Sequence, residues 1–131
     1  MLQPVVRNLE RAHAGPEMLG QGEEALPIAE IDWIEAEANY VRIHLGKESH
    51  LLRQPISRLE RELDPRRFMR VHRSFIVNVT RVIEVQPWFG GDWIVLLRDG
   101  SQLRMSRNYR DAFYERLTGV RGGASADAPD E

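Results

Sequence analysis

The fold is decided by the stretch FMRVHRSFIVN at residues 68–78, where apolar residues flank a short polar centre. Val71, Phe75 and Val77 can anchor a strand–loop–strand segment on a core, because alternate side chains of a strand point to one face. Arg73 and its neighbours then project outward. The stretch therefore predicts two adjacent strands joined by a basic loop.

The rest of the middle of the chain also predicts short strands. Apolar residues at every second position of 40–45 are typical of a half-buried strand, and Gly46 marks a hairpin turn before a strand at 50–53. Strong turn signals follow at Gly90-Gly91 and at Asp99-Gly100. Further strands are predicted at residues 31–37, 75–79, 82–85, 93–97 and 102–105.

Two segments follow the helical period instead. The first has Pro55 at a first helical position, apolar residues at intervals of three and four, and Pro65 as its stop. The second is capped by Ser106 or Asn108. Its apolar face is formed by Tyr109, Phe113 and Leu117. The predicted fold class is therefore mainly β, with short antiparallel sheets and one or two short helices.

Both ends of the chain differ from the middle in composition. Residues 1–25 predict an N-terminal appendage, with a short amphipathic helix at 4–13 followed by a polar, glycine-bearing linker. Residues 121–131 are small, acidic and rich in Pro, Gly, Ala and Ser, so we expect a disordered acidic tail. We expect one domain between them, at residues 26–120.

Composition excludes several classes of protein. The chain has no cysteine, which rules out disulfides, a thiol nucleophile and Cys-ligated zinc. Its longest apolar run is the stretch WIVLL at 93–97, whereas a membrane helix needs about 20 residues. The N-terminus has no basic region followed by an apolar one. We therefore expect a cytoplasmic protein with no membrane insertion.

Charge is distributed unevenly along the chain. Residues 66–110 contain nine arginines and three acids, a local balance of +6, while the whole chain has a net charge of −2. Arginine favours planar, bidentate recognition of phosphates and of guanine edges. A second basic cluster, at 104–110, is predicted at a strand-to-helix junction. The two basic clusters together favour DNA as the partner.

An enzyme or a metal protein is an alternative from another class. His44 and His50 flank a hairpin turn and could approach each other, and Glu35 and Glu37 share one face of a strand. His72 would be a further candidate ligand or base. No GxSxG, HExxH or phosphate-binding Gly-rich loop is present. We expect no catalysis, no metal and no required cofactor.

Three blocks of sequence, in this order and spacing, carry a resemblance to a known family. They are IDWIEAEANYV at 31–41, FMRVHRSFIVN at 68–78 and MSRNY at 105–109. With these blocks the chain resembles the LytTR family of bacterial DNA-binding domains over residues 26–118. The resemblance implies an elongated, mostly β module that inserts loops into successive major grooves of direct repeats and bends the DNA.

The resemblance also implies the residues that read DNA. By motif position, Asn39, Arg73 and Arg107 are the expected base-reading side chains. Six neighbours are candidates for phosphate or sugar contacts: Tyr40, His72, Ser74, Asn78, Ser106 and Arg110. The implied function is a sequence-specific transcription regulator, with two protomers on double-stranded DNA and a regulatory protein partner as a further candidate.

The chain departs from the family pattern at its start. The strand that usually opens the domain has only residues 25–28 to form it, with Pro27 inside, so we expect a short first sheet or one completed by another chain. Residues 1–25 are too few for a receiver domain, which fits a stand-alone regulator or a piece of a larger protein. The alternative within the family is a protein-interaction module that has lost DNA binding.

Overall fold

The computed structural model describes residues 17–118. The predicted helix at 4–13 and the predicted acidic tail at 121–131 lie outside the described residues. The helices are α1 (Ile56–Glu62) and α2 (Arg107–Thr118). The strands are β1 (Met18–Leu19), β2 (Leu26–Pro27), β3 (Trp33–Glu37), β4 (Tyr40–Leu45), β5 (Glu48–Leu52), β6 (Phe68–His72), β7 (Phe75–Asn78), β8 (Val82–Pro87), β9 (Trp93–Leu97) and β10 (Gln102–Met105). The predicted fold class, mainly β with short antiparallel sheets, is confirmed.

The largest sheet has five antiparallel strands in the order β5-β4-β3-β7-β6. Three tight hairpins connect its strands, and the first two are the β3–β4 turn at Ala38-Asn39 and the β4–β5 turn at Gly46-Lys47. Gly46 has a φ of +58°, a left-handed value that glycine adopts without a steric penalty. The predicted strand–loop–strand segment is β6 and β7, joined at Arg73-Ser74.

Alternation along these strands gives the sheet two different faces. On one face Ile34, Ile43 and Ile76 are almost fully buried, and α1 lies against β3 and β6 and buries Leu59 there. The helix begins after Pro55, whose backbone is extended (ψ 148°), so this proline precedes the helix and is not its first residue. This face forms one of the two apolar layers around the sheet.

The second layer joins the sheet to the rest of the domain. A three-stranded antiparallel sheet, in the order β10-β9-β8, packs with α2 against the β6–β7 side of the larger sheet. The shared core consists of Val71, Val77, Val95, Leu97, Leu103, Met105 and Phe113. Strands β9 and β10 have the predicted bounds, and the turn between them holds Asp99-Gly100 as expected.

The first sheet is short, as Pro27 suggested, and is completed within the chain. Met18 pairs with Pro27 and Leu19 with Leu26 in an antiparallel pair, and the Ile28 amide donates to the Glu17 carbonyl at 2.9 Å. Strand β1 therefore lies inside the segment that its polar composition predicted as linker. Two-residue strands are too short to show an alternating pattern, which is why composition missed them.

No helix among residues 17–118 is long and apolar enough to cross a membrane.

Candidate nucleic-acid interface

The Asn39 turn and the Arg73 turn lie side by side at one end of the five-stranded sheet. Strands β3 and β7 are antiparallel neighbours, with Glu35 opposite Phe75. Beyond that pair, the Ala36 amide donates to the Ser74 carbonyl at 2.9 Å. Because paired strands are about 4.8 Å apart, the two turns that follow are immediate neighbours.

The start of α2 is tied to the same end of the sheet. The Ser106 amide donates to the Val71 carbonyl at 2.9 Å, and Val71 is the residue before His72 at the end of β6. Helix α2, which begins at Arg107, packs against β6. Two main-chain hydrogen bonds thus connect three loops, which we call the three-loop surface: residues 38–40, 72–74 and 106–107.

The three predicted base-reading side chains are all exposed on this surface. Asn39, Arg73 and Arg107 each belong to the exposed class. Among residues 17–118, neither Arg73 nor Arg107 has an acidic side chain within ion-pair distance. Their guanidinium groups are therefore available to an anionic partner.

Arg70 fixes the main chain of the Arg73 turn from below. Its Nε donates to the His72 carbonyl at 2.9 Å and its Nη2 donates to the Arg73 carbonyl at 2.5 Å. Its Nη1 donates to Glu60 of α1 at 2.6 Å, and the Arg70 side chain is only 12% exposed. This arginine is therefore a scaffold residue that holds the turn.

His72 holds the same turn through a second contact. Its Nδ1 accepts a hydrogen bond from the Ser74 amide at 3.1 Å, so the ring is neutral with its proton on Nε2. Burial lowers the pKa of His72, and the positive charges of Arg73 and Arg104 lower it further. The half-buried ring lies 5.0 Å from that of Phe75. His72 and Ser74 thus shape the loop that carries Arg73.

The Asn39 turn is closed by an ion pair and contains one strained residue. Arg42 donates to both carboxylate oxygens of Glu37, at 2.6 and 3.2 Å, and this hydrogen bonding lowers the pKa of Glu37. Ala38 has a φ of 57°, the only positive φ of a non-glycine residue in the described range. Residues with a Cβ pay a steric cost there. Tyr40, directly after Asn39, is 41% exposed.

Asn78 does not belong to the surface, and its predicted role as a phosphate or sugar contact is wrong. It lies at the far end of β7 from the turn and is only 3% exposed. Its Oδ1 accepts hydrogen bonds from the amide and the hydroxyl of Thr80, at 3.0 and 2.7 Å. The side chain therefore caps the short 3-10 turn at Val79–Arg81.

Arg110 and the β8–β9 loop lie beside Arg107. Arg110 donates from Nη1 to the Gly91 carbonyl at 3.0 Å. A Cβ added at Gly91 would lie 3.0 Å from Cδ of Arg107, so the loop and α2 are in close contact. In the sequence, Gly90-Gly91 is only a turn signal. No local signal reveals this neighbour, because the contact joins segments that are far apart in the chain.

The alternative site built on histidines and carboxylates is not assembled. His50 pairs with Ile43 across β4 and β5, so it faces the side of the sheet opposite to His44, and the two rings do not approach each other. His44 instead stacks on Trp33 at 3.9 Å and contacts Glu35 at 3.1 Å. Within residues 17–118, no three His, Cys, Asp or Glu side chains are placed to hold a metal ion.

Comparison with known proteins identifies the family to which the chain belongs. The profile of the LytTr DNA-binding domain matches residues 23–118. The chain belongs to the LytTR family. The family is described as a DNA-binding domain. The resemblance seen in the three sequence blocks is therefore confirmed.

Individual LytTR relatives support the same assignment. The chain is 29% identical over 109 residues to the sensory transduction protein LytT of Bacillus subtilis. The aligned region covers 80% of this chain and 45% of that protein. The chain is 34% identical over 71 residues to the transcriptional regulatory protein LytR of Staphylococcus aureus, covering 54% and 29%. The chain thus spans less than half the length of these curated relatives.

A solved LytTR structure has the same fold. The LytTr DNA-binding domain of a Bacillus cereus response regulator superposes with a TM-score of 0.68 over 79% of this chain and 96% of that one, at 21% sequence identity.

Proposed function

We propose that this LytTR chain is a transcription regulator that binds DNA sequence-specifically through the three-loop surface. The observation that carries the proposal is the pair of main-chain hydrogen bonds, Ala36 to Ser74 and Ser106 to Val71, that joins the three loops at one end of the sheet. Family membership supports DNA as the ligand.

The exposed side chains have the chemistry that reading bases requires. An asparagine can bond adenine N6 and N7, and an arginine can bond guanine O6 and N7, each bidentate pair giving about 1–3 kcal/mol of discrimination. Asn39, Arg73 and Arg107 take these roles in the proposal. Tyr40, Ser106 and Arg110 border them and contact phosphate or sugar, which fixes register on the duplex.

The finer features of the proposal concern assembly. Two protomers bind direct repeats, with loops in successive major grooves, and residues 26–120 form the binding module. A regulatory protein is a further partner in the proposal. Binding chromosomal DNA would place the chain in the bacterial cytoplasm.

The first test is selection of bound duplexes from a random pool, followed by measurement of Arg73→Ala and Arg107→Ala on the selected site. Each change should weaken specific binding by about 1–3 kcal/mol and relax the base preference at one position. Both side chains are exposed, so the fold should be unaffected.

The matched control is Arg66→Ala. It removes the same charge from a residue that is 84% exposed and lies at the other end of β6, paired with Asp64. Its affinity should stay near that of the unmodified protein. Equal losses on the selected site and on random DNA would contradict base reading. Enrichment of no duplex at all would favour the protein-interaction module.

A further inference from the structure

Two aromatic side chains stand exposed next to the three-loop surface. Trp88 is 49% exposed and Phe89 is 78% exposed, and their rings meet edge to face at 5.2 Å. We call them the aromatic pair. Phe89 is the most exposed of the large apolar side chains in the described residues. An apolar cluster left in water at such a place marks a binding surface more often than an isolated exposed residue does.

Two main-chain hydrogen bonds close the loop that carries the aromatic pair. The Trp88 amide donates to the Asp92 carbonyl at 2.8 Å, and the Asp92 amide donates to the Phe89 carbonyl at 3.0 Å. Gly90 and Gly91 both have left-handed φ values, of +64° and +86°, which allow the chain to reverse within this small ring. The two rings are thus presented outward on a fixed support.

The same loop is attached to the DNA-facing start of α2. Arg110 bonds the Gly91 carbonyl, and Gly91 approaches Arg107 so closely that a Cβ would meet its Cδ at 3.0 Å. On the other side, Arg104 lies 3.6 Å from the Asp92 carboxylate. Arg110 is in turn 3.8 Å from Asp111, whereas Arg107 has no acid within ion-pair distance among residues 17–118. The loop of the aromatic pair therefore lies beside three arginines and two acids, a positive balance that Arg107 supplies. Charge of this sign suits a polyanion better than a basic or neutral protein surface.

We infer that the aromatic pair is a second DNA contact, which touches the sugars and base edges of the minor groove flanking the site read by Arg107. Phe89 enters that groove as an apolar wedge and Trp88 supports it from behind. Apolar side chains used in this way unstack a base step and bend the duplex. The pair would then add affinity and bending without adding a hydrogen-bonded base preference. Such a role on DNA depends on the proposed function.

The test uses the full chain and the duplex selected for it. Phe89→Ala should bind that duplex about tenfold more weakly, as expected for one aromatic contact with a nucleic acid, and should bend it less. Because the contact is apolar, the dependence of affinity on salt should match that of the unmodified protein. Phe89→Leu, which keeps an apolar wedge, should retain most of the affinity and bending.

The matched control is Ile83→Ala, since Ile83 is 63% exposed at the opposite end of β8. This variant should bind and bend like the unmodified protein. Thermal melts of all three variants check that the fold is kept. Should Phe89→Ala bind and bend as the unmodified protein does, the inference is overturned and the pair is left as a docking site for another protein. Should the unmodified protein itself bind no selected duplex, the proposed function fails first.

Discussion

Around Arg73, two side chains that face inward decide where the outward-facing one points. Arg70 bonds two consecutive carbonyls of the turn, and His72 accepts the Ser74 amide. These bonds fix the backbone before any DNA arrives, so less conformational entropy is lost on binding. The sequence shows that Arg70, His72 and Arg73 are close together in the chain. The sequence does not show which of these side chains holds the turn and which faces DNA. That depends on the bond from Arg70 to Glu60 and on the bulge between Arg70 and His72.

His72 makes the stability of the fold depend on pH in a defined direction. The pKa of His72 in the folded state is lowered from 6.5, mainly by burial. Above about pH 6.5 the imidazole is therefore neutral in both the folded and the unfolded chain, and it costs the fold no stability. Below that value the unfolded chain takes up the proton first, and the free energy of unfolding should decrease as pH falls. Urea denaturation near neutral pH and at mildly acidic pH measures this decrease.

The comparison variants for this pH effect are His72→Gln and His50→Gln. His72→Gln should show a smaller loss of stability on acidification than the unmodified protein. His50→Gln makes the same substitution away from the Arg73 turn, at a side chain that is 41% exposed and lies 3.2 Å from Glu48. A His72→Gln profile identical to that of the unmodified protein would count against a half-buried, neutral ring.

Among the elements, the β3–β4 hairpin combines regular strands with a strained turn. Ala38 occupies the left-handed region with a φ of 57°. Ala38→Gly should therefore raise the free energy of unfolding by about 0.5–1 kcal/mol, because removal of the Cβ relieves more strain than the added freedom of the unfolded chain costs. Urea unfolding measures the change.

Ala36→Gly is the control for this turn. Ala36 lies inside β3 with ordinary extended backbone, so glycine there should lower the free energy of unfolding by about 0.5–1 kcal/mol. If Ala38→Gly destabilises the protein as much as Ala36→Gly does, Ala38 is not under strain.

The strands show how far sequence alone could reach. Residues 40–45, 93–97 and 102–105 are predicted with their observed bounds, since alternation and turn signals are local properties of the sequence. Strand order was out of reach, because β3 pairs with β7 across α1 and β6, and the Val71–Ser106 bond joins residues 35 positions apart. Asn78 was misplaced for the same reason. Its motif position is shared with the reading loops, whereas its burial is visible only once β7 is seen to run away from the turn.

For the whole molecule, the attraction to DNA depends more on how charge is distributed along the chain than on the net charge. A net charge of −2 would repel DNA weakly, yet the segment from Arg66 to Arg110 carries nine of the 18 basic residues with only three acids. Several of these arginines are neutralised by acids, such as Arg66 by Asp64 and Arg70 by Glu60. Among residues 17–118, Arg73 and Arg107 have no acidic side chain within ion-pair distance, so their positive charges are available to an anionic partner.

Affinity for the selected duplex should therefore fall steeply as salt is raised. Each phosphate that the protein neutralises contributes about 0.9 to the slope of log affinity against log salt. Fluorescence anisotropy at several potassium chloride concentrations measures the slope, with Arg66→Ala as a control that should not change it. A flat profile would contradict a cationic DNA-binding surface.

The most direct measurement is the set of backbone amide NMR shifts of the full chain as the selected duplex is added. The three-loop surface predicts that the largest changes cluster at residues 38–40, 72–74 and 106–107 together, with α1 and the Gly46-Lys47 turn almost unchanged. Changes at only one of these loops, or changes concentrated on α1 and β5, would contradict a surface built from all three.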